Sequence, residues 1–227
     1  MLFSLLRGQL DLYSAMIEVL AILLIVFLVL PFHEWAHAFT AYKLGDTSVK
    51  YRGRLTLNPL SHIDPFGALA LLLFGFGWAK PVPVNSRNFK NPKGGMAITA
   101  LMGPVANIVA AIAGGLILNA LNTFAPDFLI KNTVGNYVLL FFQFYVSVNA
   151  GLAVFNLIPI PPLDGSKILF AFLPDKAVYF FYRYQQIFSI ALIALLWFGI
   201  LSVPLGFLQR YLYKFIMWFS GLPFSFF

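Results

Sequence analysis

Apolar residues run along this chain in long blocks, separated by short stretches of lysine, arginine, glycine and proline. The first block predicts a helix over about 15–42, long enough to cross the ~30 Å hydrocarbon core of a bilayer. Pro31 lies inside it and should kink it or free a carbonyl just ahead of His33, and Gly45 and Asp46 should end it. A polar loop, Lys43 to Asp64, follows. Phe66 to Trp78 is apolar but short for a span, and it holds Gly67, Gly75 and Gly77. It suits a re-entrant or interfacial segment. Lys80-Pro81-Val82-Pro83-Val84-Asn85 reads as extended, β-like chain, because each proline pushes the residue before it away from helix.

A second span fits Met96 to Leu121, where Gly103, Ala106, Ala110, Ala111, Ala113, Gly114 and Gly115 would let membrane helices approach closely. A third runs from about Tyr137 to Leu157 and stops at Pro159, Pro161 and Pro162, which cannot continue a helix. Ile187 to Val203 reads as a fourth span. From Leu205 onward, with Arg210 and Lys214, the pattern fits either a fifth short span or a helix lying in the interface. The fold class is therefore an all-α polytopic membrane protein. It has a three-helix core plus flanking helices, with the re-entrant segment and extended loop between the first and second core helices.

Composition agrees. Of 227 residues 60% are hydrophobic and 10% charged, with a mean hydropathy of +0.84. Soluble domains carry about a quarter charged residues. The first block could pass for a secretory signal, but Asp11 and Glu18 interrupt it and no small-residue cleavage site follows, so a retained helix is expected. No stretch between spans is long enough to fold alone. The expectation is a single domain over 1–227, with its core at about 15–170 and C-terminal helices at about 187–220. There are no cysteines, hence neither disulfides nor thiolate metal sites.

Charge supplies orientation. With the short segment re-entrant, three basic loops fall on one side: Lys43, Lys50, Arg52 and Arg54; Lys80, Arg87, Lys90 and Lys93; Lys167, Lys176 and Arg183. The loop at about 122–136 has one lysine and lies opposite. The basic side is then cytoplasmic and the N-terminus outside. The net charge of +7 is topogenic on this reading, with no nucleic-acid partner implied.

Against this background, His33-Glu34-Trp35-Ala36-His37 is out of place in hydrocarbon. Ionisable residues there are costly and usually serve a function. Histidines at i and i+4 share a helix face and can grip one Zn²⁺, and Glu34 between them is placed to act as general base on a metal-bound water. A catalytic zinc needs a third protein ligand. The other histidine is His62, and carboxylates are few. Asp164 stands out, in Asn156-Leu157-Ile158-Pro159-Ile160-Pro161-Pro162-Leu163-Asp164-Gly165. Charge counting puts His33, His37 and Asp164 alike near the cytoplasmic ends of their helices. His62 and Asp64 read as loop residues rather than ligands.

These residues resemble those of the site-2 proteases, intramembrane zinc metalloproteases, of the compact prokaryotic type without PDZ or CBS domain. The resemblance rests on His33-Glu34-x-x-His37, Gly103-Pro104-x-x-Asn107 and Asn156-x-x-Pro159-x-Pro161-x-Leu163-Asp164-Gly165, and on Leu57 to Pro65 and Trp78 to Asn85. It implies one Zn²⁺ held by His33, His37 and Asp164, with Glu34 as base, and cleavage of transmembrane protein substrates in or near their membrane segments. Asn107 and Asn156 are then candidates to bind the substrate backbone or the oxyanion, and Pro81 to Asn85 to pair with the unwound substrate as an added strand. The expected location is a multi-pass cell-membrane protein embedded in the lipid bilayer, its active site near the cytoplasmic side. A homo-oligomer is compatible with the sequence. Two other readings use the same residues: a metal transporter, or a protein that captures membrane segments without cleaving them.

Overall fold

The computed structural model describes residues 12–74 and 78–225. The first block forms two helices, α1 (Leu12–Leu24) and α2 (Leu30–Lys43), joined without a break by a π-helical turn, Ile25–Val29. The turn is the physical answer to Pro31. A proline ring cannot sit against the carbonyl four residues back, and the extra residue of a π turn moves that carbonyl aside. The Leu30 N–H accordingly reaches back to Ile25 O. α2 ends where Gly45 turns left-handed (φ +116°) and the Asp46 N–H bonds Ala41 O at 2.9 Å, a Schellman stop.

Between the first and second core helices lie α3 (Ser48–Tyr51) and α4 (Pro65–Phe74). The two ends of the short apolar segment are tied together. Ile63 and Ala79 form an antiparallel bridge, and Lys80 N–H donates to His62 O at 2.7 Å. The segment thus leaves and returns at one place, as a re-entrant hairpin must. Gly75 and Gly77 lie outside the described residues. No named strand forms among the described residues, so the β-like character of this region amounts to that single bridge.

α5 (Pro92–Phe124) is the central helix. After α6 (Pro126–Lys131), α7 (Thr133–Asn156) returns alongside it. Their close approach depends on small residues: a Cβ at Gly114 would meet Tyr145 at 2.6 Å, and Ala111 packs with Val146 and Ala150. Among the described residues, the single helices long and apolar enough to cross a membrane are Ile22–Lys43, Pro92–Phe124 and Thr133–Asn156, matching the three core spans; the bent pair Gln185–Trp197 and Ser202–Phe224 is apolar enough to count as a fourth if taken as one broken span.

The C-terminal third departs from expectation. α8 (Asp164–Phe170) and α9 (Asp175–Arg183) lead into α10 (Gln185–Trp197) and α11 (Ser202–Gly221). The supposed fourth span, Ile187 to Val203, is not one helix. α10 stops at Trp197 and the chain bends by 82° before α11. Gly199 (φ +72°) supplies the left-handed residue of a second Schellman motif, with Ile200 N–H on Leu195 O at 3.0 Å. α11 lies along the bundle: Asn119 Nδ2 donates to Ser220 Oγ at 2.9 Å, and Gln209 Nε2 to Ser147 O at 2.9 Å.

The three basic loops gather at one end of the bundle. Asp46, fully buried, accepts from Ser48 Oγ, Asn85 N–H and Asn88 Nδ2 at 2.6, 2.7 and 2.7 Å. Arg54 bonds the carbonyl of Ser61. Lys93 Nζ bonds Leu173 O at 2.8 Å and Asp175 at 2.7 Å, fastening α5 to the turn before α9.

Candidate metal centre

α2 carries His33 and His37 on the face it turns toward α5, one helical turn apart. α5 meets them at Gly103, where a Cβ would lie 2.4 Å from His37 Nε2 and 2.5 Å from His33 Nε2. Only glycine lets the central helix come this close. α8 brings Asp164 in from the other side. Here too a glycine permits the approach, since a Cβ at Gly165 would lie 2.3 Å from Leu157 O. All three side chains are buried.

Their ligand atoms converge. His33 Nε2 and His37 Nε2 are 3.0 Å apart, and Asp164 Oδ2 is 3.3 and 3.1 Å from them. The outer ring nitrogens explain why these atoms are left facing each other. His37 Nδ1–H donates to Thr99 O at 2.7 Å, and His33 Nδ1–H to Asn107 Oδ1 at 3.0 Å. With those protons committed, three lone pairs point at one spot, and such a set demands a cation there, a shared proton or a metal ion. Tetrahedral ligands at ~2.0–2.1 Å from zinc stand about 3.3–3.4 Å from one another. The observed separations fit that polyhedron, and two imidazoles with a carboxylate are a donor set suited to zinc.

Asp164 has a second partner, Lys167, whose Nζ bonds Oδ1 at 3.0 Å. Burial works against the charge of this carboxyl. Hydrogen bonds with both imidazoles and the Lys167 ammonium outweigh it and hold Asp164 well below the usual carboxylate range.

The centre lines a cavity of about 430 Å³. Its walls include Leu30, Trp78, Val82, Leu152, Phe155 and Asn156, so they are mostly apolar. Glu34 lies on the wall beside the histidines, and its Oε2 accepts the Val82 N–H at 3.0 Å.

The structure thus brings His33, Glu34, His37 and Asp164 together. Asn156 is half-buried on the cavity wall, its Nδ2 donating to Leu152 O at 3.0 Å. Asn107 stands elsewhere. It is fully buried behind His33 and is not among the residues lining the cavity; its oxygen accepts from the imidazole, while its Nδ2 has no hydrogen-bond partner among the described residues. The added-strand expectation changes. The N–H groups of Lys80, Val82, Val84 and Asn85 are taken by His62 O, Glu34, Val82 O and Asp46, and Pro81 and Pro83 have none. This segment has no free donor for a substrate strand. His62 and Asp64 are loop residues: His62 Nε2–H donates to Thr56 O at 2.7 Å, and Asp64 Oδ1 caps α4 through Phe66 N–H and Gly67 N–H.

Sequence reasoning missed four contributors: Thr99 O, the Val82 N–H, Gly103 as the point of closest approach, and Lys167. The first two are backbone groups and leave no signature in residue type. Gly103 was part of the motif Gly103-Pro104-x-x-Asn107, but nothing in the sequence marked it as the contact point with the histidines, and Lys167 stood among other basic residues.

Comparison with known proteins places these residues in context. The model of Peptidase family M50 matches residues 20–199. "Putative zinc metalloprotease YwhC" of Bacillus subtilis (strain 168) is 43% identical over 148 residues, 64% of this chain and 67% of that protein. "Putative zinc metalloprotease Rip2" of Mycolicibacterium smegmatis is 36% identical over 138 residues, 59% of this chain and 49% of that one. Its namesake in Mycobacterium tuberculosis is 32% identical over 142 residues, 60% and 51% of the two chains. The match therefore spans about two thirds of the first relative and about half of the others. No solved structure matches the chain.

Proposed function

The chain belongs to Peptidase family M50 and is a membrane zinc metallopeptidase, and from that premise we propose that it is an intramembrane endopeptidase, hydrolysing peptide bonds in or near the transmembrane segments of other membrane proteins. The observation that carries this reading is the buried convergence of His33 Nε2, His37 Nε2 and Asp164 Oδ2 beside Glu34, with the histidines and Glu34 on a helix that is itself long and apolar enough to cross the membrane.

In this reading His33, His37 and Asp164 hold one zinc ion, which when bound lowers the pKa of a water and polarises the scissile carbonyl. Asn107 and Thr99 fix the tautomers, so that each imidazole offers Nε2. Glu34 takes the proton from the attacking water and returns it to the nitrogen of the leaving amine. The Val82 N–H holds one of its oxygens, so the carboxylate is presented in a fixed orientation. The carboxamide of Asn156 stands on the cavity wall within the substrate's reach. The apolar walls accept side chains that come from lipid, and they exclude bulk water from the reaction. A helical substrate must unwind locally before attack, because its carbonyls are hydrogen-bonded and shielded.

The metal centre lies at the end of the bundle where the three basic loops meet. His37 is six residues from Lys43, roughly 9 Å along the helix. By the positive-inside tendency the protein is a multi-pass cell-membrane protein with its active site near the cytoplasmic surface. The domain is one catalytic unit over 1–227.

Reconstitution with a membrane-spanning reporter substrate tests the proposal, comparing wild type with Glu34→Gln. Cleavage is expected from the wild type alone, both proteins retaining zinc. Cleavage by Glu34→Gln would refute the assigned base. Zinc flux through vesicles by both proteins, without cleavage by either, would assign the site to transport.

A further inference from the structure

Lys167 has the sequence context of a topogenic charge in a basic loop, but the structure turns it inward. Its side chain is 38% exposed, it lines the cavity, and its Nζ sits 3.0 Å from Asp164 Oδ1. Histidines apart, it is the cation on that wall among the described residues. Asp164 needs only Oδ2 to face the histidine nitrogens. Its other oxygen would be held equally well by a neutral donor, such as a serine hydroxyl or an amide. A full positive charge one carboxylate's width from a cation-binding set weakens that set by simple repulsion. Such a placement makes sense where negative charge develops in the same space during the reaction.

We propose that Lys167 is a further catalytic residue, whose ammonium donates to the oxyanion that forms on the scissile carbonyl as water attacks. The proposal rests on the reading of this site as a peptidase. The donor lines a mostly apolar cavity, where a preformed charge beside a developing one is screened less than in open water. Electrons and protons balance without a further reactant. The water oxygen bonds the carbonyl carbon, and the carbonyl π pair moves to its oxygen beside Nζ. On collapse that pair returns as the C–N bond breaks, and the amine leaves with the proton carried by Glu34. Lys167 keeps its own protons throughout.

The test uses the full chain in lipid, with three variants. Lys167→Met removes the charge and the hydrogen bond, Lys167→Gln removes the charge but keeps a donor toward Asp164 Oδ1, and Lys167→Arg keeps the charge. Zinc affinity is measured by chelator competition, and kcat and KM on a membrane-spanning peptide. The proposal expects kcat to fall about 100-fold in both neutral variants, as for loss of one oxyanion donor. KM should hold within about two-fold, zinc affinity should be equal or higher, and arginine should restore most of the rate. A residue that merely positions Asp164 gives another pattern: zinc affinity falls in Lys167→Met and recovers in Lys167→Gln together with the rate. That result would overturn the proposal, as would unchanged kcat in Lys167→Gln. If Lys167→Met does not fold, Lys167→Gln against Lys167→Arg decides alone. Wild-type cleavage that Glu34→Gln abolishes establishes the peptidase reading first, so its failure is distinguishable from failure of the role given to Lys167.

Discussion

Gly103 sits where the central helix crosses both imidazoles, and a single methyl group there makes a quantitative test. Its Cβ would lie 2.4 Å from His37 Nε2 and 2.5 Å from His33 Nε2, about 1 Å short of ordinary contact. Relief requires moving the helix or turning the rings. Inside a helix alanine is favoured over glycine by ~0.8–1 kcal/mol, whereas overpacking costs ~1–3 kcal/mol. The fold should therefore lose about 2 kcal/mol or less. Metal ligation tolerates far less, since ligand distances must hold to about 0.2 Å. A ring displaced by ~1 Å ceases to be a ligand. Disturbing only the partner of a ligand costs ~10–100-fold in affinity, so Gly103→Ala should cost at least the upper end of that range. Gly114→Ala is the control, because its Cβ would press Tyr145 at 2.6 Å, three turns farther along the same helix. The assay pairs thermal unfolding in detergent with zinc competition against a chromophoric chelator. The expected result is two folded proteins of which only Gly114→Ala binds zinc normally. Wild-type zinc affinity in Gly103→Ala, or equal loss in both, would refute the packing argument.

Other consequences are as definite. Asn107→Leu removes the acceptor for His33 Nδ1–H and should weaken zinc binding ~10–100-fold, while Asn107→Asp, which keeps an acceptor, should retain most of it. Asp46 lies outside the spans. Burial opposes its charge, but hydrogen bonds from Ser48, Asn85 and Asn88 outweigh that and lower its pKa. Its folded value lies below the unfolded one, so its stabilisation is complete above the unfolded value and is lost as pH falls through the folded one. Asp46→Ala should melt lower than wild type at pH 7, by about 1–3 kcal/mol for the unpaired donors, and the gap should narrow as pH drops below about 4. Zinc added to metal-stripped protein at about 100 times its Kd should raise stability by ~2.7 kcal/mol, and Asp164→Ala should abolish that rise.

How much of this was legible in the sequence depended on whether chemistry left a mark in residue type. His33, Glu34 and His37 were legible because ionisable residues at helical spacing stand out in an apolar block. Asp164 was legible because the chain has so few carboxylates and a proline-rich turn presents this one. The groups that orient the site were not. Thr99 contributes a carbonyl and Val82 an amide, which every residue but proline carries alike. Asn107 was recognised as special, but its contact with His33 was not legible, since an asparagine on a helix shows no direction until the neighbouring helix is in place. The break at Gly199 was hidden for a related reason. A segment apolar on all sides has no polar face to fall out of register, so a turn within it leaves only the glycine. Pro31, by contrast, announced a local disturbance, and the π turn before it is the form that disturbance takes.

In the proposed site three side chains from two distant segments share one ion. Zinc per chain, measured on purified protein for the wild type and for His33→Ala, His37→Ala, Asp164→Ala and Glu34→Gln, tests this most directly. The prediction is about one zinc in wild type and Glu34→Gln, and close to none in each of the other three. Full zinc occupancy in any of those three folded variants would contradict the site as drawn.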